Sequence, residues 1–233
     1  MKLTNKRIRK GFTLVELLVV IAIIVALAAM ATPAIFKALK RAAMAENVSN
    51  ARQVKMFMEI FASDNDGVYP SEDSADFYEI AASTTSNDLF KQLFASGSTN
   101  SEKIFWVKGS KLCDPKIADD VFSLNGVFNE SRCLEPGENG WAMVEDQTNT
   151  DNPARPLIFD SPPTGTGRIF DGELWDMKVV VVSIDGSART RNLNPNFELL
   201  DGDNKELLTT ASEIWGNSVT EIDIAYPLAP SGN

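Results

Sequence analysis

Lys10-Gly11-Phe12-Thr13-Leu14-Val15-Glu16-Leu17-Leu18-Val19-Val20-Ile21 opens the stretch that decides how this 233-residue chain is built. From Phe12 to Phe36, 21 of 25 residues are apolar; the exceptions are Thr13, Glu16, Thr32 and Pro33. A bilayer core takes about 20 apolar helical residues at 1.5 Å of rise each, so the stretch is long enough to span. Lys2, Lys6, Arg7, Arg9 and Lys10 precede it, and Lys37, Lys40 and Arg41 follow. The larger basic group stays in the cytoplasm under the positive-inside bias, which puts the C-terminal part outside. Glu16 is the anomaly. A carboxylate in hydrocarbon costs about 2.5–3.5 kcal/mol on insertion scales and commonly marks a functional position.

Charge divides the chain in the same way. Residues 1–11 carry +5, residues 37–59 carry +3 and residues 60–233 carry −17, within a net charge of −10 and a pI near 4.6. The basic ends around an apolar core read as a membrane-associated N-terminus, and the acidic remainder reads as a solvated, exported part. So acidic a chain is a poor match for nucleic-acid phosphates, and no nucleic-acid partner is expected. The absence of histidine removes Ser-His-Asp and Cys-His triads and histidine-bearing zinc sites. Two plainer readings of the N-terminus are a secretory signal cut near Ala26-Leu27-Ala28 or Ala29-Met30-Ala31, and a simple signal anchor. Both leave Glu16 unexplained.

The segment from Lys10 to Ile21 resembles the N-terminal cleavage and methylation segment of type IV pilins and type II secretion pseudopilins, with glycine, phenylalanine, threonine and glutamate where that family has them. The resemblance implies that a prepilin peptidase cuts between Gly11 and Phe12 and methylates the new amine of Phe12. N-methylation keeps the positive charge. Glu16 lies one helical turn further on, within i,i+4 reach of that amine. In the family, the equivalent carboxylate is thought to neutralise the amine of a neighbouring subunit and set register.

The expected organisation is a leader at 1–11, a transmembrane and assembly helix at 12–36, a periplasmic half-helix at 37–63 and a globular pilin-like domain at 64–233. The fold class expected is α+β, a long N-terminal helix packed on a mostly antiparallel sheet. No glycine or proline interrupts residues 38–62, and Val48, Ala51, Val54, Met58 and Phe61 recur at spacings of three and four, with Asn47, Arg52 and Lys55 off the stripe. Phe12 to Ser63 as one helix would measure about 78 Å. Pro33 removes a backbone donor, so a kink or local melting is expected there. Ser63-Asp64-Asn65-Asp66-Gly67 is the stop signal, with Gly67 as C-terminal cap. With Val68-Tyr69-Pro70 it resembles the turn that closes the long helix in major pseudopilins.

In the globular part, Asn87 is placed as the cap of a short helix carrying Leu89, Phe90, Leu93 and Phe94 and ended by Gly97. Strands are predicted at 103–108, 121–128, 141–145, 157–160 and 177–185. Asp185-Gly186 signals a two-residue hairpin turn with a return strand at 188–193. This hairpin resembles the aspartate-glycine-histidine hairpin of some pilin-like proteins, with Ser187 in the histidine position.

Cys113 and Cys133 lie in the part placed outside, where one bridge would contribute about 3 kcal/mol; two buried free thiols are the other reading. Both cysteines are mid-chain, whereas fibre-forming pilins often carry their disulfide near the C-terminus, which favours a pseudopilin. Asp201-Gly202-Asp203-Asn204-Lys205-Glu206 alternates carboxylates as calcium loops do, so Asp201, Asp203 and Glu206 are the calcium candidates, against a solvated turn. No other cofactor is expected. Thr164-Gly165-Thr166-Gly167 lacks the lysine of a phosphate loop, and the pairs Asp119-Asp120 and Glu145-Asp146 read as surface charge rather than glycosidase carboxylates.

The function these readings imply is structural: a pseudopilin of a type II secretion system, not an enzyme, held in the inner membrane with its C-terminal domain in the periplasm. Its partners would be prepilin peptidase, identical or related subunits in a helical fibre, and an inner-membrane assembly platform. The alternatives are a surface type IV pilus subunit and a signal-anchored periplasmic binding or hydrolytic protein.

Overall fold

A computed structural model describes residues 12–81, 85–114, 118–217 and 219–230; Gly11 and the rest of the leader expected at 1–11 lie outside the described residues. The chain forms two compact units, Met1–Ala42 and Ala43–Asn233. Helix α1 (Leu14–Asp64) contributes residues to both. The helix continues through Pro33 without interruption, so the local melting expected there does not occur. Thr32 Oγ1 donates to the carbonyl of Ala28 at 2.7 Å beside it.

Within the second unit, α1 buries Ala51, Val54, Met58 and Phe61, the predicted stripe, with Val48 half-buried. Asn47 and Lys55 are also buried, against expectation. Each is polar at its tip and each has found a partner: Asn47 Nδ2 donates to Asp160 Oδ1 at 2.7 Å, and Lys55 Nζ reaches Glu59 and the Tyr69 hydroxyl. Buried polar groups are tolerated on those terms. The helix ends as its stop signal requires. Asp66 and Gly67 have φ of 53° and 84°, and the Gly67 N–H donates back to the carbonyl of Ala62 at 2.8 Å, closing a Schellman-type turn.

Two further helices follow, α2 (Glu72–Ala75) and α3 (Ser86–Ala95). Thr85, not Asn87, caps α3 by accepting from the Asp88 N–H. Asn87 lies inside the helix, buried, with Nδ2 donating to the Leu134 carbonyl and Oδ1 accepting from the Leu228 N–H. Gly97, with φ of 76°, ends the helix as predicted.

The strands are β1 (Ser123–Leu124), β2 (Val127–Phe128), β3 (Trp141–Val144), β4 (Pro156–Asp160), β5 (Lys178–Ser183), β6 (Ala188–Asn192) and β7 (Ile224–Ala225). β1 and β2 form a separate hairpin around Asn125-Gly126, and the other five make one antiparallel sheet in the order β6-β5-β4-β3-β7. One face packs Trp141, Met143, Ile158, Val180 and Val182 with the α1 stripe and α3. The other packs Ala142, Val144, Phe159, Val179 and Val181 under Leu199, Leu207, Leu208 and Trp215 of the C-terminal loops. A strand buried on both faces needs no alternation, which is why β5 reads Val179-Val180-Val181-Val182.

Three strand readings change. Residues 103–108 form turns, not a strand. Residues 121–128 hold two two-residue strands where one longer strand was expected. The β5–β6 turn has three residues, Ile184, Asp185 and Gly186, because Ser183 and Ser187 are already paired across it. Gly186, with φ of 77°, takes the left-handed position that a three-residue loop requires.

Candidate assembly segment and neighbouring sites

Every side chain from Phe12 to Leu39 is exposed. Leu14, Met30, Val25 and Phe36 stand at two-thirds exposure or more, on a helix long and apolar enough to cross a membrane. A single apolar helix of that exposure has not found its environment within the chain, since burial of such surface stabilises by about 25 cal/mol per Å².

The polar start of this helix is self-contained. Thr13 N–H and Thr13 Oγ1 both donate to Glu16 Oε2 at 2.8 Å, and the Glu16 N–H donates to Thr13 Oγ1 at 3.2 Å. This is a reciprocal capping box, threonine at the cap and glutamate three residues on. It satisfies donors that lipid would leave unpaired. Thr13 is therefore a participant that the sequence reading passed over, although Thr-x-x-Glu before an apolar run is its signal. None of the three bonds uses Glu16 Oε1. Phe12, the first described residue, precedes the cap and is exposed.

The other predicted sites fare differently. Cys113 and Cys133 are free thiols, so the expected bridge is not formed. Cys113 Sγ accepts from the Val107 N–H at 3.4 Å, and Cys133 is buried beside Leu134 in the helix-side core, against which Cys113 also packs. Burial pushes the Cys113 thiol up to about 12 and raises that of Cys133 as well, the latter with help from the Glu102 charge.

Asp201, Asp203 and Glu206 do not converge. Asp201 Oδ1 accepts from the N–H groups of Asp203 and Lys205 at 2.9 Å, and its Oδ2 accepts from Ser212 Oγ at 2.7 Å. The loop is closed by its own bonds, with Lys205 paired to Glu213. Thr164–Gly167 is a turn whose Gly167 carbonyl accepts from the Tyr226 hydroxyl. Asp120 is paired with Lys103 at 2.5 Å, apart from any role with Asp119, and Glu145 has a carboxyl raised to about 7 by burial and by Glu72, Asp146 and Asp223.

Residues 6–32 match the family model for the prokaryotic N-terminal methylation motif. The fimbrial protein EcpC of Eikenella corrodens is 37% identical over 95 residues, covering 41% of this chain and 60% of that protein. No solved structure matches the chain. The chain spans about 60% of that relative's length, and the methylation motif, the fimbrial relative and the long apolar helix with an antiparallel sheet support a likeness to the type IV pilin-like family.

Proposed function

We propose that the chain is a pseudopilin of a type II secretion system, cut by prepilin peptidase between Gly11 and Phe12 and methylated at Phe12. The single observation that carries the reading is the apolar helix surface from Leu14 to Leu39, exposed along its whole length and overlapped by the methylation motif at residues 6–32. In the inner membrane, lipid covers that surface. In a fibre, the helices of neighbouring subunits cover it, and the same burial that seats the subunit in lipid then holds the assembly together.

Glu16 has a defined part in this account. Its Oε2 caps its own helix, and Oε1 is left to accept the methylated amine of Phe12 in a neighbouring subunit. Pairing two charges across subunits in a low-dielectric core fixes register, because any other stagger leaves both charges unpartnered. The chain's own contribution is mechanical, not catalytic. An inner-membrane assembly platform would extract the subunit, and the periplasmic domain would travel with the fibre.

The fimbrial relative favours a second reading, a subunit of a surface type IV pilus. Deleting the gene separates the two. Retention of normally secreted enzymes in the periplasm, with surface fibres unchanged, supports the secretion reading. Loss of surface fibres with secretion intact supports the pilus reading and overturns the first.

A further inference from the structure

The stretch of residues 98–114 and 118–140 is built mainly from turns, with one 3-10 turn and the two-residue strands β1 and β2. Three carboxylates from three separate segments of it converge: Glu102, Asp119 and Glu138 each offer an oxygen, all within 4.8 Å of one another. Among the described residues, this is the group of three that meets such a limit. The three are held there by backbone bonds. Glu102 Oε1 accepts from the Leu134 N–H at 2.6 Å, and Glu138 accepts from the N–H groups of Glu135 at 2.8 Å and Asp119 at 3.4 Å. Asp120 ties the first two segments together by accepting from the Glu102 N–H at 2.7 Å, while its ion pair with Lys103 engages that lysine's charge.

Exposed acids gather in many proteins without a ligand. Glu102 is different: it is fully buried, and its Oε2 has no hydrogen-bond partner. A buried carboxylate oxygen left unpaired is costly, more so with two further carboxylates beside it. Asp119, at the exposed rim, gives the point a route to solvent.

We propose that Glu102, Asp119 and Glu138 bind one hard divalent cation of the calcium type, which fastens the 98–140 loops to one another. Oxygens 2.3–2.6 Å from a shared calcium ion lie no more than about 5 Å apart, the spread seen here, and an all-oxygen, all-carboxylate set suits calcium over softer metals. The site is distinct from the 201–206 loop, whose leading aspartate is already engaged by its own turn. It does not depend on whether the subunit serves a secretion fibre or a pilus.

The test uses the full chain in detergent, stripped with a chelator and titrated separately with calcium, magnesium and zinc chlorides by calorimetry. One calcium per chain is expected, with a dissociation constant at or below about 1 mM, as in extracellular modules. Asp119→Asn and Glu138→Gln, at exposed and half-buried positions that do not endanger folding, should each weaken it at least about tenfold. Asp201→Asn should leave it unchanged. Calcium should also raise the unfolding midpoint of the parent and not that of Glu138→Gln. No calcium heat, unchanged affinity in both carboxylate variants, loss in Asp201→Asn, or tighter binding of zinc than of calcium would each overturn the proposal.

Discussion

Asp160 shows what a single residue contributes to the docking of helix on sheet. It is wholly buried, and its carboxylate accepts from Asn47 on α1, from the Trp175 indole at 2.9 Å and from the Val180 N–H at 2.7 Å. Burial nevertheless raises its carboxyl to about 7, above the ordinary value near 3.9, because the interior disfavours the charge more than three donors favour it. Between about pH 4 and pH 7 the folded state therefore holds a proton that the unfolded state has released. Stability falls as pH rises through that window, by up to about 4 kcal/mol from this group, and the contribution is complete only below pH 4. Asn47 Oδ1 is buried without a partner. Asp160→Asn offers it an N–H once the Asn47 amide turns over, and keeps an oxygen for Trp175 and Val180. The variant should have a shallower decline in stability from pH 4 to 7 and be at least as stable as the parent at pH 8, read by denaturant unfolding across pH. An unchanged slope would refute this account of Asp160. The thiols give a second prediction at this scale. Cys113 and Cys133, both raised by burial, should resist maleimide at pH 7.5 in the folded chain and react with a stoichiometry of two after unfolding. A chain with no reactive thiol even when unfolded, until reduced, would restore the disulfide.

Elements whose residues declare a local rule were legible in the sequence. The α1 stripe, its stop signal, the Gly97 end of α3, and strands β3 to β6 all lie within a residue or two of where periodicity and turn chemistry put them. Several of those that failed depend on partners remote in sequence. Lys103–Lys108 looks like a strand by composition, but Trp106 Nε1 donates to the Asp114 carbonyl and Phe105 turns back onto Glu102, so the segment folds as turns. β7 is two residues long and exists only because Met143 and Val144 offer it an edge. The burial of Asn47 could not be seen without Asp160, 113 positions away. The Thr13–Glu16 capping box, the Thr85 cap of α3 and the Asn125-Gly126 turn were readable locally and were passed over. At the end of α1, Gly67 makes an element-scale prediction. Its φ is 84°, and a Cβ there would lie 2.7 Å from Asn149 Oδ1, so Gly67→Ala should destabilise the second unit by about 1–2 kcal/mol in urea unfolding followed by tryptophan fluorescence. A neutral result would mean that this turn does not need glycine.

For the whole molecule, the two units divide labour. Ala43–Asn233 buries its own apolar surface on both faces of one sheet, whereas residues 12–39 bury none of theirs. That contrast is the physical basis for the proposed assembly through the helix. Glu16→Leu should insert into the inner membrane at normal levels, since it removes a costly carboxylate, yet yield far less cross-linkable fibre. Normal fibre yield from that variant would remove Glu16 from the register mechanism. The central claim, that this is a processed pilin-like subunit, is tested most directly by intact mass and N-terminal sequencing of the membrane-fraction protein from cells with and without prepilin peptidase. The account predicts loss of residues 1–11 and one methyl group on Phe12, only where the peptidase is present. An uncut chain, or one beginning after Ala31, would contradict it.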